Sequence, residues 1–120
     1  MMTKTELFLV LLGIKKTMTI AEQLKVTEFP FTIKDSRGNI TYYEDSDKFW
    51  IKREFDSKGN ETYYENSYKY WIKREFDSKG NETYYKNSNN SWVKSEFDPR
   101  GLRIYYESSN GLIKDERMFI

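Results

Sequence analysis

A 21-residue repeat constrains the fold of this chain more than any other feature. The segment WIKREFDSKGNETYYENSYKY from Trp50 is followed from Trp71 by WIKREFDSKGNETYYKNSNNS, which differs at only four positions. A third copy starts at Trp92, and a degenerate copy starts at Phe29. Repeats 1 to 4 therefore occupy residues 29–49, 50–70, 71–91 and 92–112. A fixed period of this length is typical of proteins in which each unit packs on its neighbours.

Each repeat predicts a β-hairpin. The segments Trp50–Phe55 and Glu61–Glu65 alternate in character and are rich in residues that favour strands. Between them, Gly59 suits the residue that follows a type I turn, because glycine enters positive φ without steric cost and forms a G1 bulge there. The sequence therefore predicts a mainly β fold, an antiparallel β-meander of four hairpins with a short N-terminal helical cap.

Strand periodicity assigns the side chains of one repeat to two faces. Ile51 and Phe55 share one face, and Trp50 lies on the other. A three-residue loop at the turn places Tyr63 with Ile51 and Tyr64 with Trp50. We expect the face of Ile51 and Phe55 to form the core.

The two ends of the chain differ from the repeats and are predicted to cap them. In residues 1–28, a Thr-x-x-Glu capping box begins at Thr3 and another begins at Thr19, which fits two short helices. The second helix would cover the hydrophobic side and open edge of repeat 1. Residues 113–120 would supply a C-terminal cap strand or tail.

The apolar run at 7–14 leaves several alternatives open. A signal peptide or membrane anchor is disfavoured, because Glu6 lies in the basic end, no small-residue cleavage site follows, and two lysines close the run short of the ~20 residues that a span needs. Met18 also begins a sensible protein, so residues 1–17 could be an upstream extension. Its helix would pack on the sheet or join two copies of the chain in a homo-oligomer. We expect a cytoplasmic protein without membrane contact.

Composition excludes most catalytic chemistry. The chain has no Cys and no His, which removes thiolate nucleophiles, imidazole bases and the usual zinc sites. Carboxylate pairs such as Glu54 and Asp56 recur in successive repeats, whereas a catalytic constellation is normally unique. The loop from Asp56 to Asn60 resembles a calcium loop but carries Lys58 at its centre. We therefore expect no enzyme activity, no cofactor and no metal site.

Aromatic rows are the feature that predicts a binding surface. Trp, Tyr and Arg are the usual hot-spot residues of protein interfaces, and aromatic rows also stack sugars or bases. With a net charge of +1, and with a Glu54-type anion beside each Lys52-type cation, direct nucleic-acid binding is not expected. A purely structural role for the rows stays open. The candidate partner-binding residues are Trp50, Lys52, Tyr64, Trp71, Lys73, Tyr85, Trp92 and Tyr106.

Two resemblances bear on function. The motif Phe-Asp-x-x-Gly-Asn-x-x-Tyr-Tyr, from Phe55 to Tyr64, resembles the YD repeats of RHS proteins over the repeat region alone. Four repeats are too few for the shell that RHS proteins build. The stretch MTIAEQLKVTEFPF from Met18, followed by repeats of the type EFDSKGNETYYENS, resembles short tandem-repeat proteins of phages and prophages.

The phage resemblance implies a small inhibitor of a host defence complex, acting in the host-cell cytoplasm like an anti-CRISPR protein. Its protein partner would then be a host nuclease or a CRISPR effector complex. The alternatives are a glycan or cell-wall binding hairpin repeat, which requires export, and a homo-oligomeric structural protein. The hypothesis that the sequence favours is a non-enzymatic protein-binding module.

Overall fold

The computed structural model describes residues 18–117, in which nine strands form one antiparallel sheet whose strand order follows the chain order. Helix α1 spans Ile20–Gln23. The strands are β1 Phe31–Lys34, β2 Ile40–Glu44, β3 Trp50–Phe55, β4 Glu61–Asn66, β5 Trp71–Phe76, β6 Glu82–Asn87, β7 Trp92–Phe97, β8 Arg103–Ser108 and β9 Ile113–Asp115. The predicted mainly β meander is confirmed. The helix predicted from Thr3 lies outside the described residues.

The turn within each repeat has the predicted geometry. In repeat 2, the Gly59 N–H donates to the Asp56 carbonyl at 3.1 Å, and the Asp56 N–H donates to the Asn60 carbonyl at 2.9 Å. Gly59 has φ 87°, as a G1 bulge requires. The Asp56 carboxylate accepts hydrogen bonds from the backbone N–H groups of Asn60 and Lys58, and these bonds lower its pKa. The residues that resemble a calcium loop therefore build the turn itself.

The turns that join one repeat to the next use the same hydrogen bonds with a different residue at positive φ. The Lys69 N–H donates to the Asn66 carbonyl at 3.0 Å, and Lys69 has φ 66°. Lys48 and Asn90 occupy the equivalent positions, with φ 67° and 65°. Because the backbone geometry is shared, the side chain at this position leaves each joining turn in the same direction.

The strand register corrects the predicted faces of the paired tyrosines. Arg53 lies opposite Tyr64, and Glu54 lies opposite Tyr63. Directly opposed residues in antiparallel strands project from the same face. Beyond Glu54 the pairing shifts by one residue, so that Thr62 has no direct partner in the register. This bulge reverses the expected order, because a one-residue slip moves every following side chain to the other face.

The sheet has two chemically different faces. The tryptophan face carries Trp50, Lys52, Tyr63 and their equivalents in the other repeats, and the arginine face carries Arg53, Tyr64 and their equivalents. On the arginine face, the Arg53 guanidinium lies 5.7 Å from the Tyr64 ring and its Nε lies 3.5 Å from Glu61 Oε1. Such cross-strand pairs stabilise a sheet that has little else to pack against.

Neither face is enclosed by a second layer of described residues. The structure measures 70 × 34 × 19 Å and has a radius of gyration of 20.3 Å, whereas a globular domain of this length has ~14 Å. Between residues 18 and 117, the only buried hydrophobic residues are Ala21 and Tyr42, both where α1 meets repeat 1. Ile51 and Phe55 are half-buried. The prediction that their face forms an enclosed core is therefore wrong for this part of the chain.

Candidate protein-binding face

The eight predicted binding residues lie on opposite faces of the sheet. The tryptophan face carries five of them, namely Trp50, Lys52, Trp71, Lys73 and Trp92. The arginine face carries Tyr64, Tyr85 and Tyr106, which lie 5.7, 5.6 and 4.6 Å from an arginine guanidinium. The tyrosines that share the tryptophan face are Tyr63, Tyr84 and Tyr105, each one position earlier than predicted. The bulge in each hairpin is the reason for the exchange.

The tryptophan face presents an alternation of rings and cations. The Nζ atoms of Lys52, Lys73 and Lys94 lie 4.9, 5.1 and 5.2 Å from the ring of the tryptophan two residues before each of them. Residues two apart on a strand share a face, so this contact forms within each strand. The lysines are exposed, and the tryptophans are half-buried.

The charged groups of the two faces differ in how far they are paired. On the arginine face, Arg74 Nε lies 3.0 Å from Glu82 Oε1, repeating the pair of Arg53 and Glu61. On the tryptophan face, the carboxylates of Glu54 and Glu75 make no hydrogen bond or ion pair with any described residue. The tryptophan face therefore has two carboxylates left over for a partner, whereas Arg53 and Arg74 of the arginine face are paired.

Tyrosine and glutamate form a repeated pair on the tryptophan face. The Tyr63 hydroxyl donates to Glu65 Oε1 at 2.7 Å. Burial of Tyr63, together with this hydrogen bond and the negative charge of Glu65, raises the pKa of Tyr63 to about 12. Glu65 lies opposite Trp71 on the next strand. Tyr42 and Glu44 form the equivalent pair in repeat 1, also at 2.7 Å.

In repeat 1, helix α1 docks on this pair. Glu44 is only 1% exposed and accepts the Thr19 hydroxyl at 2.7 Å and the Ala21 N–H at 3.1 Å, in addition to the Tyr42 hydroxyl. Thr19 is the N-cap of α1 and completes the predicted capping box with Glu22. A carboxylate at a helix N-terminus satisfies N–H groups that have no partner within the helix. The predicted short helical cap on repeat 1 is confirmed, but its hydrogen bonds are to β2, and three of the four residues of the edge strand β1 are exposed.

Charge reversal marks the other end of the tryptophan face. In β9 and the residues after it, Asp115 and Arg117 stand where earlier repeats have lysine and glutamate. Arg117 binds Glu96 and Asp115, each at 2.8 Å, and its guanidinium lies 4.0 Å from the Tyr105 ring. Sequence reasoning missed Arg117, although the exchange of charge at two fixed repeat positions was its signal.

Comparison with known proteins adds no family. No protein-family model matches the sequence, and no curated protein sequence matches it significantly. The resemblance to YD repeats and to phage repeat proteins therefore stays a prediction. Between residues 18 and 117, no helix is both long enough and apolar enough to cross a membrane.

Proposed function

We propose that this chain is a non-enzymatic module that binds a protein partner through the tryptophan face. The observation that carries the proposal is the docking of α1 on Glu44. Helix α1 covers the tryptophan face in repeat 1 and is held there by specific hydrogen bonds. The remaining length of the face repeats the same kinds of residue without such a cover in the described part of the chain.

The chemistry and size of the face support this proposal. Tryptophan is among the residues most enriched at interface hot spots, and the cation–π contact of the lysine beside each tryptophan strengthens when a partner removes it from water. A stable interface needs ~800 Å² from each partner, and the 70 × 34 Å outline of the molecule exceeds that area. The partner that we propose, from the resemblance to phage and prophage proteins, is a host nuclease or CRISPR effector complex that this chain inhibits in the host cytoplasm.

Two single substitutions distinguish the faces. Trp71→Ala removes a ring from the tryptophan face, and Tyr85→Ala removes one from the arginine face; both side chains are half-buried. Loss of a central hot-spot residue weakens binding by about 30-fold. We therefore expect Trp71→Ala to abolish recovery of the partner with the tagged chain from a bacterium that carries its defence systems, and Tyr85→Ala to preserve it.

Lys73→Glu provides a second tryptophan-face variant, because Lys73 is exposed and its substitution spares the backbone. Circular dichroism of every variant establishes that the sheet is retained. Partner recovery that depends on Tyr85 and not on Trp71 or Lys73 would contradict the proposal. So would recovery of polysaccharide in place of a protein.

A further inference from the structure

The docking of α1 uses four side chains at fixed positions of the repeat. Glu44 accepts the hydrogen bonds of the helix N-terminus, and Tyr42 donates to Glu44. Lys48 Nζ lies 3.8 Å from Glu22 Oε2 in the first turn of the helix. Trp50 lies opposite Glu44 and stacks on Tyr42 with ring centres 6.4 Å apart. We call these four residues the Glu44 site.

The same four side chains recur 21 residues further on, where repeat 2 joins repeat 3. They are Tyr63, Glu65, Lys69 and Trp71, here called the Glu65 site. The hydrogen bond from the Tyr63 hydroxyl to Glu65 has the same length of 2.7 Å. Lys69 has nearly the same φ as Lys48, so the two lysines leave their turns alike. Glu65, however, is half-buried, and among the described residues only Tyr63 donates to its carboxylate.

Repeat 3 is a natural comparison, because it departs from repeat 2 at only four positions. Two of these belong to the site, with Lys86 in place of Glu65 and Asn90 in place of Lys69. Lys86 also lies directly opposite Lys73, a like-charge pair that destabilises a sheet. After repeat 4, Ile113 stands at the tryptophan position. The described residues therefore contain one complete second site, the Glu65 site.

We propose that the Glu65 site binds the N-terminus of a helix from the partner protein. This inference rests on the proposed function and specifies the partner segment. The partner segment begins with a Ser or Thr N-cap. Two residues later it has a small residue, as Ala21 is in α1, and the next residue is acidic, as Glu22 is in α1. Lys52 lies opposite Glu65, whereas Phe31 lies opposite Glu44. The added cation complements an acidic first turn, which also suits the helix dipole.

A second copy of this chain is a poor source of the helix. Its α1 is already bound to its own Glu44, and an intramolecular contact competes at an effective concentration of about millimolar or higher. A partner with a free helix N-terminus has no such competitor. The occupant is therefore a different protein with the sequence pattern of residues 19–22 of this chain.

The probe for the Glu65 site is a peptide with the sequence of residues 18–28, titrated into the full chain. The readout is the indole N–H signal of each tryptophan in the nuclear magnetic resonance spectrum. Trp71 reports the Glu65 site, Trp50 reports the Glu44 site, which α1 already covers, and Trp92 lies opposite Lys86. We expect a saturable shift at Trp71 and none at Trp50 or Trp92.

A tethered form compensates for the weak helicity of a short peptide in water, because the tether raises the effective concentration of the segment at the site. Residues 18–28 are appended to the C-terminus through a Gly/Ser linker of about 15 residues, whose root-mean-square reach is about 21 Å. Four strand spacings separate β5 from β9, or about 19 Å. The linker therefore reaches the Glu65 site, and the Trp71 signal is expected to move without added peptide.

Two variants complete the test. Glu65→Lys is expected to abolish the Trp71 shift. The double variant Lys86→Glu with Asn90→Lys is expected to create a shift at Trp92.

Three results would overturn the inference. They are a Trp71 signal that does not move in the tethered chain, equal shifts at all three tryptophans, and an unchanged Trp71 shift in Glu65→Lys. Self-association that depends on Glu65 would assign the site to a second copy instead. If the Trp71 signal does not shift but recovery of the partner still depends on Lys73, the Glu65 site is overturned. The proposed function then stands.

Discussion

Replacing Glu44 by alanine is expected to release α1 from the sheet and to lower the free energy of unfolding by about 3 kcal/mol. The substitution removes the acceptor of hydrogen bonds from the Thr19 hydroxyl, the Ala21 N–H and the Tyr42 hydroxyl. Each bond to a charged acceptor contributes about 1.5–3 kcal/mol, and water replaces part of that once the helix leaves. Urea unfolding measures the loss, and hydrogen exchange at the Ala21 amide reports the release of the helix.

Glu65→Ala is the matched control for this prediction. Glu65 occupies the same position in repeat 2 but accepts only the Tyr63 hydroxyl among the described residues. Its loss is expected to cost about 1 kcal/mol or less. Equal losses for the two variants, or an Ala21 amide that stays protected in Glu44→Ala, would show that the carboxylate does not hold the helix.

Removal of the whole of repeat 3, residues 71–91, is expected to leave a cooperatively folded sheet of seven strands. Each strand pairs only with its neighbours in the chain, and the deletion joins Tyr70 to Trp92 as it was joined to Trp71. Trp92 then lies opposite Glu65, and the like-charge pair of Lys73 and Lys86 disappears. The sheet shortens by two strand spacings, about 10 Å. Thermal unfolding followed by circular dichroism measures cooperativity.

Deletion of residues 71–80 is the control for repeat removal. This deletion removes β5 and leaves its hairpin partner β6. Every later strand would then run in the direction opposite to the one it has in the intact sheet. We expect this shorter deletion to lose cooperative unfolding while the longer one retains it. An unfolded chain after removal of residues 71–91 would show that distant parts of the molecule support one another, against the repeat account.

The sequence was sufficient to predict the hairpins because their signals are local. The period of 21, Gly59 at positive φ and the capping box at Thr19 all appear in the structure. The faces of Tyr63 and Tyr64 were not predictable in the same way. Their order depends on the bulge at Thr62, whose hydroxyl donates to the Glu54 carbonyl at 3.3 Å. The alternating pattern of the strand is the same with or without that bulge.

The candidate site was predictable in part. The tryptophans and lysines of the tryptophan face follow from alternation within a single strand. The function of Glu44 does not, because it depends on a helix 23 residues earlier in the chain. The sequence shows that repeat 3 has Lys86 and Asn90 where repeat 2 has Glu65 and Lys69. Only the strand register places Glu65 opposite Trp71 and so shows that these positions belong to one site.

Small-angle X-ray scattering of the monomeric chain tests the central claim most directly. That claim is a single-layer sheet in which no second layer of described residues encloses either face. The account predicts a radius of gyration near 20.3 Å and an elongated distance distribution. A radius of gyration of ~14 Å, the value for a globular domain of this length, would mean that the sheet folds over to enclose a core. The tryptophan face would then not be available to bind a partner.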